Sequence, residues 1–199
     1  MDSKQHHLLT QQLKARVANA VKDKAFKHNE WYTKYHLEIV ESIASELCDV
    51  YPKADRAKVI DLVWLHDYEK IVEFANKDNT ELVATSELMV SIGFPRDYIN
   101  EVSADINTIN AKVAIASAPI EIQILSSSDG AAHLVGPFYG IYWHENPDKS
   151  IQEILMGNKA KLEKDWSKKM TLPEVRTAFQ DRYDLALEMV SGELPNKFL

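Results

Sequence analysis

The chain has 199 residues, 45% hydrophobic and 27% charged, which is enough apolar material for a substantial globular core. Its 23 basic and 30 acidic residues leave a formal net charge of −7 with histidine neutral, arguing against a docking face for a nucleic acid polymer or an anionic membrane. Only 6 glycines and 7 prolines punctuate it, too few for a turn-rich all-β chain, so an all-α fold is expected.

The single cysteine, Cys48, cannot form an intramolecular bridge. It shares an apolar helical neighbourhood with Ile43, Ala44 and Leu47, which predicts a buried, inert thiol in a reducing compartment. No apolar stretch follows the polar start MDSKQHH, and none approaches the roughly 20 residues of a bilayer span, so a cytoplasmic protein without membrane contact is expected. The His6-His7 step reads as part of a solvated tail.

In chain order, Leu9, Leu13, Val17, Ala20 and Val21 recur at helical spacing and predict an amphipathic helix from Leu8 to Ala25. A second helix starts near Thr33, carries the stripe His36, Ile39, Val40, Ile43, Ala44 and Leu47, and ends before Pro52. Asp55 reads as the N-cap of a third, which runs to Phe74 with the stripe Val59, Leu62, Val63, His66 and Lys70. Thr80 to Ile92 and Pro95 to Ile109 read as a helical hairpin about Gly93. Pro119 to Trp143 is expected to form one central apolar helix in which Asp129 is the odd polar member. Ile151 to Lys168 and Pro173 to Val190 then predict a C-terminal helical pair packed on the main body. The organisation expected is an N-terminal helix over 1–28, a core over 29–146 and the C-terminal pair over 147–199. No internal repeat, dinucleotide fingerprint or P-loop is present.

Ionisable side chains at core positions are costly unless paired or bound to a metal. Four stand out: His36, the adjacent His66 and Asp67, and Asp129, spread over three predicted helices. Two imidazoles and two carboxylates make a mixed nitrogen and oxygen set suited to Mn, Fe, Co, Ni or Zn.

The order of these residues resembles the HD-domain superfamily of metal-dependent phosphohydrolases. YHLEIVESIASELC is similar to the helix bearing that family's first ligand, DLVWLHDYEK to its HD helix, and EIQILSSSDGAAHL to the helix bearing its final aspartate. The resemblance spans 29–143 and implies an HD-domain-like helical bundle with a C-terminal helical extension. It also implies His36, His66, Asp67 and Asp129 as ligands of one divalent ion: Mn, Ni, Co, Fe, Zn or Mg. Relatives that hold a second metal have further histidines after the HD pair. Here no histidine lies between His66 and His133, and Asn107 and Asn110 fall where one is expected, so a mononuclear site is expected.

The implied activity is hydrolysis of a small phosphorylated substrate, a phosphomonoester or nucleotide. Lys70, four residues after His66 and three after Asp67, is the expected phosphate contact. Glu69 is a candidate proton acceptor or partner of His66, and Asp67 a candidate ligand and base. His133, four residues after Asp129, is a candidate substrate contact or outer partner. The aromatic run Phe138, Tyr139, Tyr142 and Trp143 is a core or seam that also suits base stacking. The alternative is a non-catalytic metal-binding regulatory module on the same scaffold. Oligomeric state is not legible in the sequence.

Overall fold

A computed structural model describes residues 1–73, 81–111 and 114–192. Phe74 and Thr80, expected at the end of one helix and the start of the next, lie outside the described residues. Every regular element among the described residues is helical: α1 (Ser3–Val21), α2 (Glu38–Val50), α3 (Arg56–Leu65), α4 (Tyr68–Val72), α5 (Val83–Ile92), α6 (Arg96–Ala111), α7 (Ile120–Ala132), α8 (Phe138–His144), α9 (Ile151–Lys164) and α10 (Pro173–Ser191). The chain is therefore all-α, and the ambiguous Ile120 to Ile124 run is helical. None of these helices is long and apolar enough to cross a membrane.

Local chemistry explains most of the boundaries. Asp2 and Asp55 accept the Gln5 and Lys58 amides at 2.8 and 3.2 Å and start α1 and α3. Ser150 and Glu153 form a reciprocal capping box at the start of α9. Gly93, at φ 102°, closes α5 in the left-handed conformation that suits glycine.

Several expected helices are shorter or broken. α1 stops at Val21, not Ala25. The second helix opens with a wide π turn over Thr33–Leu37, in which the Glu38 amide bonds the Thr33 carbonyl. The third breaks at His66 and Asp67 between α3 and α4. The long central helix is two helices: α7 ends at Ala132, and Gly136 (φ 77°) and Pro137 turn the chain into α8. Another π turn, Asp165–Lys169, ends the α9 run.

α7 is the axis of the fold and packs against α2, α3, α6, α10 and the Asp165–Lys169 turn. Its second half is buried and small: Ser126, Ser127, Ser128, Asp129, Gly130, Ala131 and Ala132. These serines stitch the C-terminal segment down. The Ser127 hydroxyl accepts the Thr171 and Leu172 amides at 3.1 and 3.2 Å, and Ser126 and Ser127 both donate to the Lys169 carbonyl. They satisfy backbone groups that the helix end leaves without partners. One apolar cluster runs from Leu9, Leu13 and Val17 through Leu62 and Leu125 to Met170, Leu172 and Val175, so all three expected segments share a core.

His6 does not lie in a solvated tail. Its Nε2 is 2.6 Å from Oδ2 of the fully buried Asp61, which also accepts Thr10 and Tyr98 hydroxyls at 2.7 Å each. This ties α1, α3 and α6 together. Cys48 is buried as expected, and burial raises its thiol pKa.

Candidate metal centre

The two π turns and the α3–α4 break deliver side chains to one cavity of about 350 Å³. Its floor is His36, His66, Asp67, Asp129 and His133, its basic wall is Lys70, Lys161, Lys164 and Lys169, and its aromatic wall includes Phe26, Trp31, Tyr32, Phe138 and Tyr142. The wide turn at 33–37 carries His36 inward to 2% exposure while leaving Tyr35 outside. Such turns recur at functional sites because they re-aim a side chain within a helix.

His36, His66 and Asp129 come together as expected, each offering a donor atom within 4.8 Å of the others, and all three are buried. His36 Nε2 lies 3.6 Å from Asp129 Oδ1. His66 Nδ1 is 2.8 Å from the Val63 carbonyl, which can only accept, so that nitrogen carries the hydrogen. The opposite nitrogen, Nε2, is buried with no hydrogen-bond partner, as is His36 Nδ1. A buried imidazole nitrogen held by a backbone carbonyl on one side and unpaired on the other suits a metal ligand.

Asp67 stands beside this trio, its Oδ2 3.6 Å from His66 Nε2. Tyr32 donates to Oδ2 and Lys70 to Oδ1. Burial alone would raise the Asp67 pKa, but Lys70 and His66 outweigh it and hold the carboxyl far below the usual carboxylate range. Burial and the neighbouring Asp67 carboxylate push the Tyr32 hydroxyl well up, so it remains a donor. At Asp129, Lys169 binds Oδ2 and overcomes burial, again keeping the carboxylate ionised. His36 and His133 are lowered, chiefly by burial.

His133 lines the cavity, with Nδ1 2.8 Å from Asp165 Oδ2 and Nε2 3.7 Å from Asp129 Oδ1. Lys161 also donates to Asp165, and burial lowers its ammonium pKa to about 8 against the pull of that carboxylate. Lys70 reaches the cavity as expected, but its ammonium is tied to Asp67. Glu69 does not reach it. The break after His66 turns Glu69 away, and its Oε1 accepts the Thr85 amide at 2.8 Å in the first turn of α5. The partner that orients His66 is the Val63 carbonyl instead. Asn110 is among the lining residues.

Because the chain turns at 133–137, the aromatic run does not extend the face of α7. Phe138 folds back to stack at a tilt on His133, ring centroids 4.1 Å apart. Glu145, just after α8, accepts the Trp31 indole N–H at 2.7 Å and lies 2.8 Å from His28, clasping the aromatic rim.

Sequence reasoning did not assign Tyr32, Lys161, Lys164, Asp165 or Lys169 to the site. Lys161, Asp165 and Lys169 are spaced i, i+4, i+8 with alternating charge, the same signal as an ordinary solvated helix face. Compared with protein-family models, with curated proteins and with solved structures, the chain matches none.

Proposed function

We propose that the chain is a metal-dependent phosphohydrolase acting on a small phosphorylated substrate, in the manner of HD-domain enzymes. One juxtaposition carries the reading: buried His36, His66 and Asp129 donors, with His66 Nε2 unpaired, at the floor of a cavity whose wall carries four lysines. Those three residues and the adjacent Asp67 would hold one divalent ion: Mn, Ni, Co, Fe, Zn or Mg. When bound, the ion would lower the pKa of a water and draw charge from a phosphoryl oxygen.

The chain's own groups do the positioning. Lys164 lines the cavity and offers an ammonium donor to phosphoryl oxygens, while Lys70, Lys161 and Lys169 hold Asp67, Asp165 and Asp129 in place. A carboxyl held as low as that of Asp67 is a poor proton acceptor at neutral pH, so Asp67 serves as ligand rather than base. The aromatic wall suits the organic part of the substrate, a nucleobase among the candidates, and the −7 net charge suits a small anion better than a polyanion.

The second reading, a non-catalytic metal-binding module in a cytoplasmic setting, draws on the Lys70–Asp67 and Lys169–Asp129 pairs, which already balance both carboxylates. Chelated protein reloaded with each metal and offered a panel of nucleotides and sugar phosphates separates the two. Metal-dependent phosphate release that His66→Ala abolishes supports the enzyme. Metal retention without release on any substrate supports the module, and failure to retain any ion refutes both.

A further inference from the structure

His133 holds its place through the C-terminal segment. Asp165 can only accept, so the 2.8 Å contact makes His133 Nδ1 the donor and leaves Nε2 as a lone pair. The Lys161 ammonium, 3.1 Å from the same Nδ1, is itself bonded to that Asp165 oxygen. Nε2 therefore looks toward Asp129 Oδ1 at 3.7 Å, almost the separation of His36 Nε2 from that oxygen, 3.6 Å. The His36 and His133 rings are nearly parallel, at 9° with centroids 5.2 Å apart, so they flank one carboxylate oxygen.

Neither separation is a hydrogen bond. A lone pair aimed at a carboxylate in a buried site is repulsive unless a cation lies among the donors. Lys169 occupies Oδ2, the other oxygen, and Lys161 sits on the far side of the His133 ring. Two ligands each about 2.0–2.2 Å from one ion lie at most about 4.4 Å apart, and both separations at Oδ1 are within that reach. His133 lies outside the group of His36, His66 and Asp129 donors that are within 4.8 Å of one another, so its ring swings inward to complete the set.

We propose that His133 is itself a ligand of the metal ion, oriented by Asp165 of the C-terminal segment. The proposal rests on the metal reading above and extends it. The segment outside the HD-like region then supports the metal centre through Asp165, the carboxylate that fixes the other nitrogen of the His133 imidazole. Three imidazoles also favour Zn, Ni, Co or Fe over Mg, which takes oxygen ligands.

The test uses the full chain, stripped with chelator and titrated with Co²⁺ by calorimetry, with the visible absorption of the bound ion as a second readout. In His133→Asn the amide can replace Nδ1 as donor to Asp165 but leaves nothing in the place of Nε2. The expected result is a Co²⁺ affinity at least about tenfold weaker with an altered visible spectrum, while Asp165→Asn weakens binding by about 10–100-fold and keeps the spectral shape. Wild-type affinity and spectrum in His133→Asn would overturn the proposal while leaving the metal reading intact. Absence of Co²⁺ binding by the wild type would instead refute the metal reading and this proposal with it. Should His133→Asn fail to fold by circular dichroism, nitrogen NMR of histidine-labelled wild type gives the answer. Three Nε2 signals, those of His36, His66 and His133, move on Zn²⁺ addition if His133 is a ligand, against two if it is not.

Discussion

Gly130 follows Asp129 and lies where α7 packs tightly against the Asp165–Lys169 turn. A Cβ there would lie 2.8 Å from Met170 Cγ and 3.2 Å from Lys169 Cβ, with the Asp165 carbonyl oxygen at 3.6 Å. Carbon atoms in contact sit about 3.5–4.0 Å apart, so Gly130→Ala must push the turn carrying Asp165 and Lys169 outward by several tenths of an ångström. Overpacking of this kind costs about 1–3 kcal/mol, whereas replacing a helical glycine by alanine returns about 0.5–1 kcal/mol. The balance is a loss of up to about 2.5 kcal/mol. For a chain of this length that is a fall in Tm of up to about 10 °C. Gly140, exposed on α8 with nothing within 4 Å of its would-be Cβ, is the internal control. Gly140→Ala is expected to gain about 0.4–1 kcal/mol. Thermal unfolding of both variants, followed by circular dichroism on chelated protein, reads the difference directly. A Gly130→Ala protein as stable as Gly140→Ala would refute the close approach of the C-terminal turn to α7, and with it the delivery of Lys169 to Asp129.

Saturating the chelated protein with a competent ion at about 100 times its Kd should add about 2.7 kcal/mol of stability. A thermal shift assay should register this as about 5–11 °C. No shift with any of the six metals would contradict the ligand set. Asp165 gives a pH signature: burial would raise its pKa, but the His133 bond and Lys169 outweigh burial and keep the folded pKa below the unfolded one. Its pairing therefore stabilises fully above about pH 4 and is lost as pH falls below that toward the folded pKa. Urea unfolding should show a flatter acid limb for Asp165→Asn than for wild type, and identical limbs would count against the pairing. Glu69→Gln retains an oxygen for the Thr85 amide, so phosphate release should stay within about twofold of wild type, and a large loss would place Glu69 in the chemistry after all. Tyr32→Phe removes a hydrogen bond to an ionised, buried carboxylate and should cost about 1.5–3 kcal/mol in chemical denaturation. An unchanged midpoint would exclude that bond.

His36, His66 and Asp129 were legible because a titratable side chain at an apolar helical position is a local contradiction, visible without knowing what lies across the core. Asp55, Gly93 and the burial of Cys48 were legible for the same reason, since capping, left-handed φ and helical periodicity depend on a few neighbouring residues. Glu69 misled because i, i+3 proximity assumes an unbroken helix, and the chain breaks between His66 and Tyr68. His6 misled because its partner, Asp61, lies 55 positions away.

The sequence by itself therefore determined the all-α class, most helix positions and the residues that had to be explained by pairing or a metal. Tertiary structure alone decided which of them meet. The Lys161, Asp165 and Lys169 face reads the same whether it points to water or into a cavity. Only the capture of the 169–172 backbone by Ser126 and Ser127, and the space left at Gly130, turn it inward onto Asp129 and His133. Periodicity records that a helix has two faces, whereas the choice of what each face meets is made by long-range packing, where one missing Cβ and two hydroxyls on another helix settle the register.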